Sequence, residues 1–493
     1  MKNIISKIYF FLLSLFVFLI PLQTVYIFRQ GPIGHEGAGR EGIWQFGTLA
    51  FYATDILFLL IFIFVCVRFF VSIRTQERRH LSSAEVLSWL QRPVVIFLIC
   101  LFFIALVSVL WSPDKILAVQ AVFRLFEGGV IFLLISHISS VKQKMCVWIF
   151  ILSAVIQSVF GAIQFFMQEI PAVSWLGIAH HASWIPGDAV VESTERRWLR
   201  AYGSFPHPNI LAAYLVAGYF FCIAVIMRSE KKIWTWLATL AGVSILFGLM
   251  LTFSREAWIG LGIGLAMMGV VSAYKNRVRH SHENGNPGER SILQKTGSQI
   301  GPVLDCDRGS GMTMIKTIRI SPLIFFFLVS LITILFSGML FSEPLSVRLG
   351  VDGWKRLEIK SIQERLGSVK EFVSLGPILV RGVGIGQYTN TLHQRDVKNN
   401  AVRPSYAYQP VHTVFLLVFA ELGIAGISAF ISFLFFLVWR VCHSARNDTL
   451  IGFGLLSSFI IISFFDHFFW TIHSGILLWW VCIAGLDKKK DIV

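Results

Sequence analysis

Residues 200–227 read RAYGSFPHPNILAAYLVAGYFFCIAVIM, in which Arg200, His207 and Asn209 crowd the mouth of an apolar run that continues to Met227. A helix needs about 20 apolar residues to cross roughly 30 Å of hydrocarbon, and this run supplies them. Pro208 suits the first turn of that helix, because an N–H there would have no intrahelical partner anyway. The stretch predicts a membrane-crossing helix with polar side chains gathered at one interface.

The rest of the chain repeats the apolar half of that pattern. Of 493 residues, 55% are hydrophobic and only 14% charged, with 45 Phe and 15 Trp, which excludes a soluble globular mixture. Apolar segments at 6–28, 46–73, 93–111, 116–137, 145–168, 208–228, 232–252, 255–274, 321–342, 411–439, 449–465 and 468–486 predict an all-α, polytopic integral membrane protein of about 12 transmembrane helices. The first span follows Lys2 and Lys7 as a signal peptide would, but it is long, lacks a small-residue cleavage site and is expected to remain.

With the N-terminus inside, the inner connectors RTQERRH (74–80), SVKQK (140–144), RSEKK (228–232) and YKNRVRH (274–280) and the tail DKKK (487–490) are all basic, so both termini are expected in the cytoplasm. The net charge of +15 then reflects inner loops facing anionic lipid, and no nucleic-acid partner is implied. Cys66, Cys100, Cys146, Cys222 and Cys482 fall in spans, and Cys306 and Cys442 on the cytoplasmic side, so no disulfide is expected.

Two connectors are long. Residues 275–320 are rich in Gly, Ser, Asn and charge and predict a flexible cytoplasmic linker. Residues 342–410, between spans nine and ten, form a large extracytoplasmic loop with ten Lys or Arg against six Asp or Glu. Within it, Leu357, Ile359, Ile362, Leu366, Val369 and Phe372 recur at near-helical spacing, predicting an amphipathic helix along the outer membrane surface or over a cavity. Gly382, Gly384 and Gly386 follow; no strand–helix unit surrounds them, so they suit a tight turn or close backbone approach rather than a nucleotide loop.

Fixing the topology brings out a pattern. RAYGSFPHPN before span six, LTFSREAW (251–258) before span eight and YQPVHTVF (408–415) before span ten all place polar residues where a helix starts on the outer side. Helix N-termini are positively polarised, Ser254 is a candidate N-cap, and Arg200 and Arg255 add charge suited to phosphate oxygens. Together they predict an extracytoplasmic phosphate site, although an arginine at such a boundary can also simply snorkel to headgroups. His412 has the pKa range of a general base for a hydroxyl, or it caps its helix.

Deeper groups read as structural. Arg124 and Glu127, three apart, can neutralise one another, with Arg124 a second-rank substrate contact. Gln157, Gln164 and Gln168 share one side of span five, as if facing a polar cavity, and Asp55 has no assigned role. Glu421 reads as structural, with Gly423 and Gly426 permitting close packing. His180, His181 and Asp188 are too loose a cluster for a metal, and neither a metal nor a cofactor is expected.

The segments RAYGSFPHPNILAAYL, LTFSREAWIGLGIGL, GPILVRGVGIGQY, HTVFLLVFAELGIAG and FFDHFFWTIHSGILLWWVCIAGL resemble, in order, the pattern of the bacterial O-antigen ligase and O-antigen polymerase family. The resemblance divides the chain into N-terminal helices (1–199), a ligase-like core (200–430) and C-terminal helices with a tail (431–493). It implies a metal-independent glycosyltransferase in the bacterial inner membrane, its site on the outer face. The donor is a glycan on undecaprenyl diphosphate, and the acceptor is a hydroxyl of a glycan, lipid or protein.

By that pattern Arg200 and Arg255 match the diphosphate arginines, and His412 the histidine that activates or orients the acceptor; Thr413 departs from the Asn found after it in many members. Arg365, Arg381, Gly384, Gly386 and Asn209, with Arg124, are further candidate substrate contacts. The absence of an obvious covalent nucleophile suggests a single inverting displacement. Ligase and polymerase remain alternatives, and a twelve-span transporter is the competing class; polar groups at the outer edge rather than mid-membrane favour the transferase.

Overall fold

The computed structural model describes residues 2–31, 44–74, 92–193, 195–283, 321–351, 353, 355–443 and 448–484. Among them, helix dominates, and sheet is confined to three two-stranded antiparallel hairpins. The elements in order are α1 (Lys2–Phe18), β1 (Val25–Arg29), β2 (Leu49–Tyr52), α2 (Ala53–Arg74), α3 (Pro93–Ser108), α4 (Lys115–His137), α5 (Ser140–Met167), β3 (Glu169–Ile170), β4 (His181–Ala182), β5 (Val190–Glu192), β6 (Arg197–Leu199), α6 (Pro208–Arg228), α7 (Lys232–Leu251) and α8 (Arg255–Glu283). They continue with α9 (Pro322–Leu340), α10 (Ser342–Leu349), α11 (Arg356–Val373), α12 (Tyr388–Lys398), α13 (Val414–His443), α14 (Asp448–Ser463), α15 (Phe468–Thr471) and α16 (His473–Ala484). Eight helices among the described residues are long and apolar enough to cross a membrane: α3 to α9 and α13. This is an all-α membrane protein.

Three predicted spans differ in detail. The first is not one helix over 6–28: α1 ends at Phe18, just before Pro21, and VYIFR then pairs with Leu49–Tyr52 as a hairpin. Apolarity alone does not separate this β-branched and aromatic strand from helix, and the predicted second span begins inside the same hairpin. The last span breaks at Ile472, whose extended backbone separates α15 from α16 and sets His473 at a helix start. Helix α8 runs on to Glu283, so helix occupies the first part of the predicted linker; residues 284–320, with Cys306, lie outside the described residues, as do 75–91 and 485–493.

Helix α6 is the hub, with only Phe221, Val225, Met227 and Arg228 of its 21 residues outside the buried set. It packs against α5, α7, α8 and α14, and α8 packs most closely against α14. A Cβ on Gly264 would stand 2.4 Å from the Gly454 carbonyl oxygen, so these helices touch through backbone.

Gln157 and Gln164 of α5 and Gln168, which ends it, do not face a cavity, as their shared side suggested. They hold the turn that carries Arg200. Gln164 Oε1 accepts from the N–H groups of Tyr202 (3.2 Å) and Gly203 (2.8 Å) while its Nε2 donates to the Gly203 carbonyl (2.8 Å). Gln157 accepts from Ser204 N–H (2.7 Å) and Gln168 from Leu199 N–H (2.7 Å). Backbone that would otherwise lie unsatisfied near lipid is thereby paired.

The glycine loop is likewise structural. Helix α13 is interrupted at Gly423 (φ +69°), freeing carbonyls that accept from Val383 N–H (2.9 Å, to Ala420) and Gly384 N–H (2.9 Å, to Glu421). Gly382 and Gly384 hold φ of +84° and +103°, and a Cβ on Gly382 would meet the Glu421 carbonyl at 2.4 Å. The close approach expected of these glycines is to the chain itself.

The amphipathic helix is present as α11, but its two faces are used in a particular way. Ile359, Ile362, Leu366 and Val369 are exposed, whereas Glu358, Ser368 and Phe372 turn inward. A helix that shows its aliphatic face outward and its glutamate inward is placed by ion pairs, leaving the apolar side available to a lipid surface.

Candidate functional site

The turn before α6 positions the first arginine. Gly203 takes φ +59°, Pro208 opens the helix, and the His207 side chain accepts from Asn209 N–H (3.2 Å) as its cap. Arg200 is 5% exposed; its Nε donates to the Thr252 carbonyl (2.5 Å) and its Nη2 to Asn209 Oδ1 (2.6 Å). These bonds join the RAYG and LTFSREAW segments directly. Asn209 bridges onward: its Nδ2 donates to Asp466 Oδ2 (2.9 Å). Asn209, a candidate substrate contact from the sequence, therefore links two charged side chains.

At the start of α8, Ser254 is not the expected N-cap. Its hydroxyl is buried without a hydrogen-bond partner. Arg255 pairs with Glu358 of α11 (2.8 Å), Arg348 of α10 pairs with the same carboxylate (2.5 Å), and Arg365 of α11 pairs with Glu256 (3.2 Å). The Arg348 Nε also donates to the Phe253 carbonyl (2.8 Å). Helix α11 is thus tied by salt bridges onto the α8 N-terminus. Burial lowers Arg200 to about 9, and the like charge of Arg348 adds to the effect.

His412, just before α13, is half-buried, with its ring 5.5 Å from that of His467. Burial lowers it from the usual histidine range, with Asp466 opposing. Burial also pushes His467 down to about 4; its Nδ1 meets Thr471 Oγ1 at 2.7 Å. Asp466 Oδ1 accepts from the His467 N–H (2.7 Å). Donor atoms of His412, Asp466 and His467 lie within 4.8 Å of one another and could hold a metal ion. The surrounding arginines raise the cost of a cation there.

Other predicted contacts lie elsewhere. Arg124 bonds Asp55, Glu127 (3.4 Å) and the Ala50 carbonyl (2.9 Å) inside the helical bundle, so its pairing extends beyond the expected Glu127 partner and gives Asp55 a role. His473 adjoins Asp55 (3.4 Å) and Glu127 (3.6 Å), and Asp55, Glu127 and His473 are a second group at metal-binding spacing, though Arg124 already holds both carboxylates. Arg124 and Gly386 line a 340 Å³ cavity beside the outer site. Gly384 packs against Ser112, and Arg381 is exposed over the Trp111 ring (5.4 Å). His180 and His181 pair separately with Glu169 (3.1 Å) and Asp188 (3.0 Å).

The sequence reading missed Arg348, Glu256, Glu358, Asp466 and His467. The last two carried a usable signal: the dipeptide Asp466–His467 interrupts an aromatic run at an outer helix end, the criterion that found Arg200, Arg255 and His412. Nothing in SEPLSVRLG marks Arg348 among the other loop cations.

The fold and site define a helical membrane protein with an arginine-rich polar cluster at one end of its bundle. Comparison with protein-family models gave no match, and no curated protein matches the chain.

Proposed function

We propose that the protein is a membrane glycosyltransferase of the O-antigen ligase type, in a bacterial inner membrane, moving a glycan from undecaprenyl diphosphate to an acceptor hydroxyl on the outer face. In this reading the chain crosses the membrane twelve times, with the short helices α1, α14 and α16 among the spans and both termini in the cytoplasm. One observation carries it: among the described residues the guanidinium groups of Arg200, Arg255, Arg348 and Arg365 gather with the carboxylates of Glu256, Glu358 and Asp466 in one cluster beside His412, with guanidinium groups in excess among these seven side chains. Such a surplus suits a diphosphate.

The residues then have definite work. His412 takes the proton of the acceptor hydroxyl as its oxygen attacks the anomeric carbon. The bond from that carbon to the diphosphate oxygen breaks, and the departing charge is held by the arginines and the N-termini of α6 and α8. Asp466 holds Asn209, and through it Arg200, while stabilising the protonated form of His412. A single displacement of this kind inverts the anomeric centre.

The test uses the purified full-length protein in nanodiscs with an undecaprenyl-diphosphate-linked glycan. Transfer to an acceptor should occur and should be lost in Arg255→Ala and His412→Ala. Near-normal transfer in both variants overturns the site assignment, and solute uptake into proteoliposomes with no transfer overturns the class. In cells lacking the gene, accumulated lipid-linked polymer marks a ligase and single-repeat glycans mark a polymerase.

A further inference from the structure

We infer that the 340 Å³ cavity beside the histidines is a second substrate site, for a neutral pyranoside whose hydroxyl is the acceptor. The inference rests on the transferase reading. That volume is near the lower end of the roughly 300–1,000 Å³ typical of small-ligand pockets.

The cavity lies between β1, β2, α4, α12, α13, α15 and α16. It adjoins His467 at two points. The Phe46 ring is 5.7 Å from the His467 ring, edge-on, and Thr471, another wall residue, bonds His467 Nδ1. His467 thus touches the wall of this chamber through Phe46 and Thr471, and its ring lies 5.5 Å from that of His412. A group transfer to a hydroxyl needs two pockets that meet at the base.

The chemistry of the lining selects the ligand. Three charged or titratable wall groups are engaged within the protein. Arg124 is held by Asp55, Glu127 and Ala50; Glu421 accepts from Trp470 Nε1 (2.8 Å); His473 Nε2 meets Thr54 Oγ1 (2.8 Å). The Gln120 amide is likewise spent, on Ala50 N–H (3.0 Å) and the Thr48 carbonyl (3.4 Å), and what lines the space otherwise is neutral: the amide of Gln45, the hydroxyl of Thr389, and aromatic surface of Phe46, Trp470 and Trp480. Aromatic faces with neutral hydrogen-bonding groups fit a sugar ring, which has apolar C–H faces and a hydroxyl rim. An anionic diphosphate finds no unspent cation there.

The experiment titrates neutral methyl glycosides (glucoside, galactoside, N-acetylglucosaminide and rhamnoside) into the full-length protein in nanodiscs. Tryptophan fluorescence is the readout, since Trp470 and Trp480 are wall residues. Pyrophosphate binding is measured calorimetrically on the same sample. At least one glycoside should quench saturably, and glucuronate should not. Gln45→Ala and Thr389→Val should each weaken glycoside binding by about tenfold, the scale of one lost hydrogen bond, and leave pyrophosphate binding intact; Arg200→Ala should do the reverse. Pyrophosphate binding without any glycoside binding overturns the inference, as does glycoside binding insensitive to both cavity variants. Glycoside binding without pyrophosphate binding supports the sugar site and overturns the donor reading. Displacement of the glycoside by a lipid-diphosphate sugar overturns its assignment to the acceptor.

Discussion

Two clusters in this molecule are made of the same residue types and have opposite character. In the interior, Arg124 meets Asp55, Glu127 and His473, with both carboxylates fully buried. Carboxylates outnumber the arginine there, and one proton shared between Glu127 and His473 would make the group neutral. At one end of the bundle, Arg200, Arg255, Arg348 and Arg365 gather around Glu256 and Glu358, and burial lowers the pKa of the nearby His412. An arginine in a membrane protein is therefore assigned by the charge balance around it, since both clusters hydrogen-bond their guanidinium groups. The interior cluster joins helices; the other is the one proposed to receive an anion.

The comparison breaks first at His412. His412→Ala is expected to cut glycan transfer by about 10²–10⁴, the usual worth of a positioned base, with unchanged thermal stability in detergent. Loss of folding in place of loss of rate would move His412 to the structural class. The converse holds for Arg124→Met, which leaves Asp55 and Glu127 buried without their cation. It should destabilise the protein by about 3–5 kcal/mol in thermal unfolding, while pyrophosphate affinity of the folded fraction stays near that of the parent. A selective loss of affinity would make the inner cluster part of the site.

Arg255→Lys sharpens the contrast. A lysine can keep a single ion pair with Glu358, but it loses the planar fork, so transfer should fall about tenfold or more while the outer loop stays protected from protease. Full activity would reduce Arg255 to a tether for α11. The smallest effect concerns pH. His412 is depressed by burial, so transfer should be retained at pH 6.5 and lost only as pH falls through its lowered pKa. Asp466 favours the protonated form, so Asp466→Asn should move that acid limb to still lower pH. An acid limb that stays in place, or moves upward, would remove Asp466 from the environment of His412.

Much of this was legible because hydrocarbon imposes simple rules. Apolar length located the helices, and polar residues at outer helix ends pointed to Arg200, Arg255 and His412. The failures have physical causes too. VYIFR is as apolar as the helix before it, and only pairing with Leu49–Tyr52 makes it a strand. The glutamines of α5 lie on one face whatever they touch, and only the fold reveals that they satisfy the Leu199–Ser204 backbone.

The sequence by itself determined a helical membrane protein with polar groups at helix ends, because the cost of unpaired backbone and charge in lipid leaves few other solutions. Tertiary structure decided the partners. Whether an arginine is spent or available depends on carboxylates distant in sequence, Glu358 for Arg255 and Asp55 for Arg124, and no local pattern encodes such pairings. The stretch RAYGSFPHPN announced a polar mouth; its link through Asn209 to Asp466, 257 residues away, exists only in the folded chain.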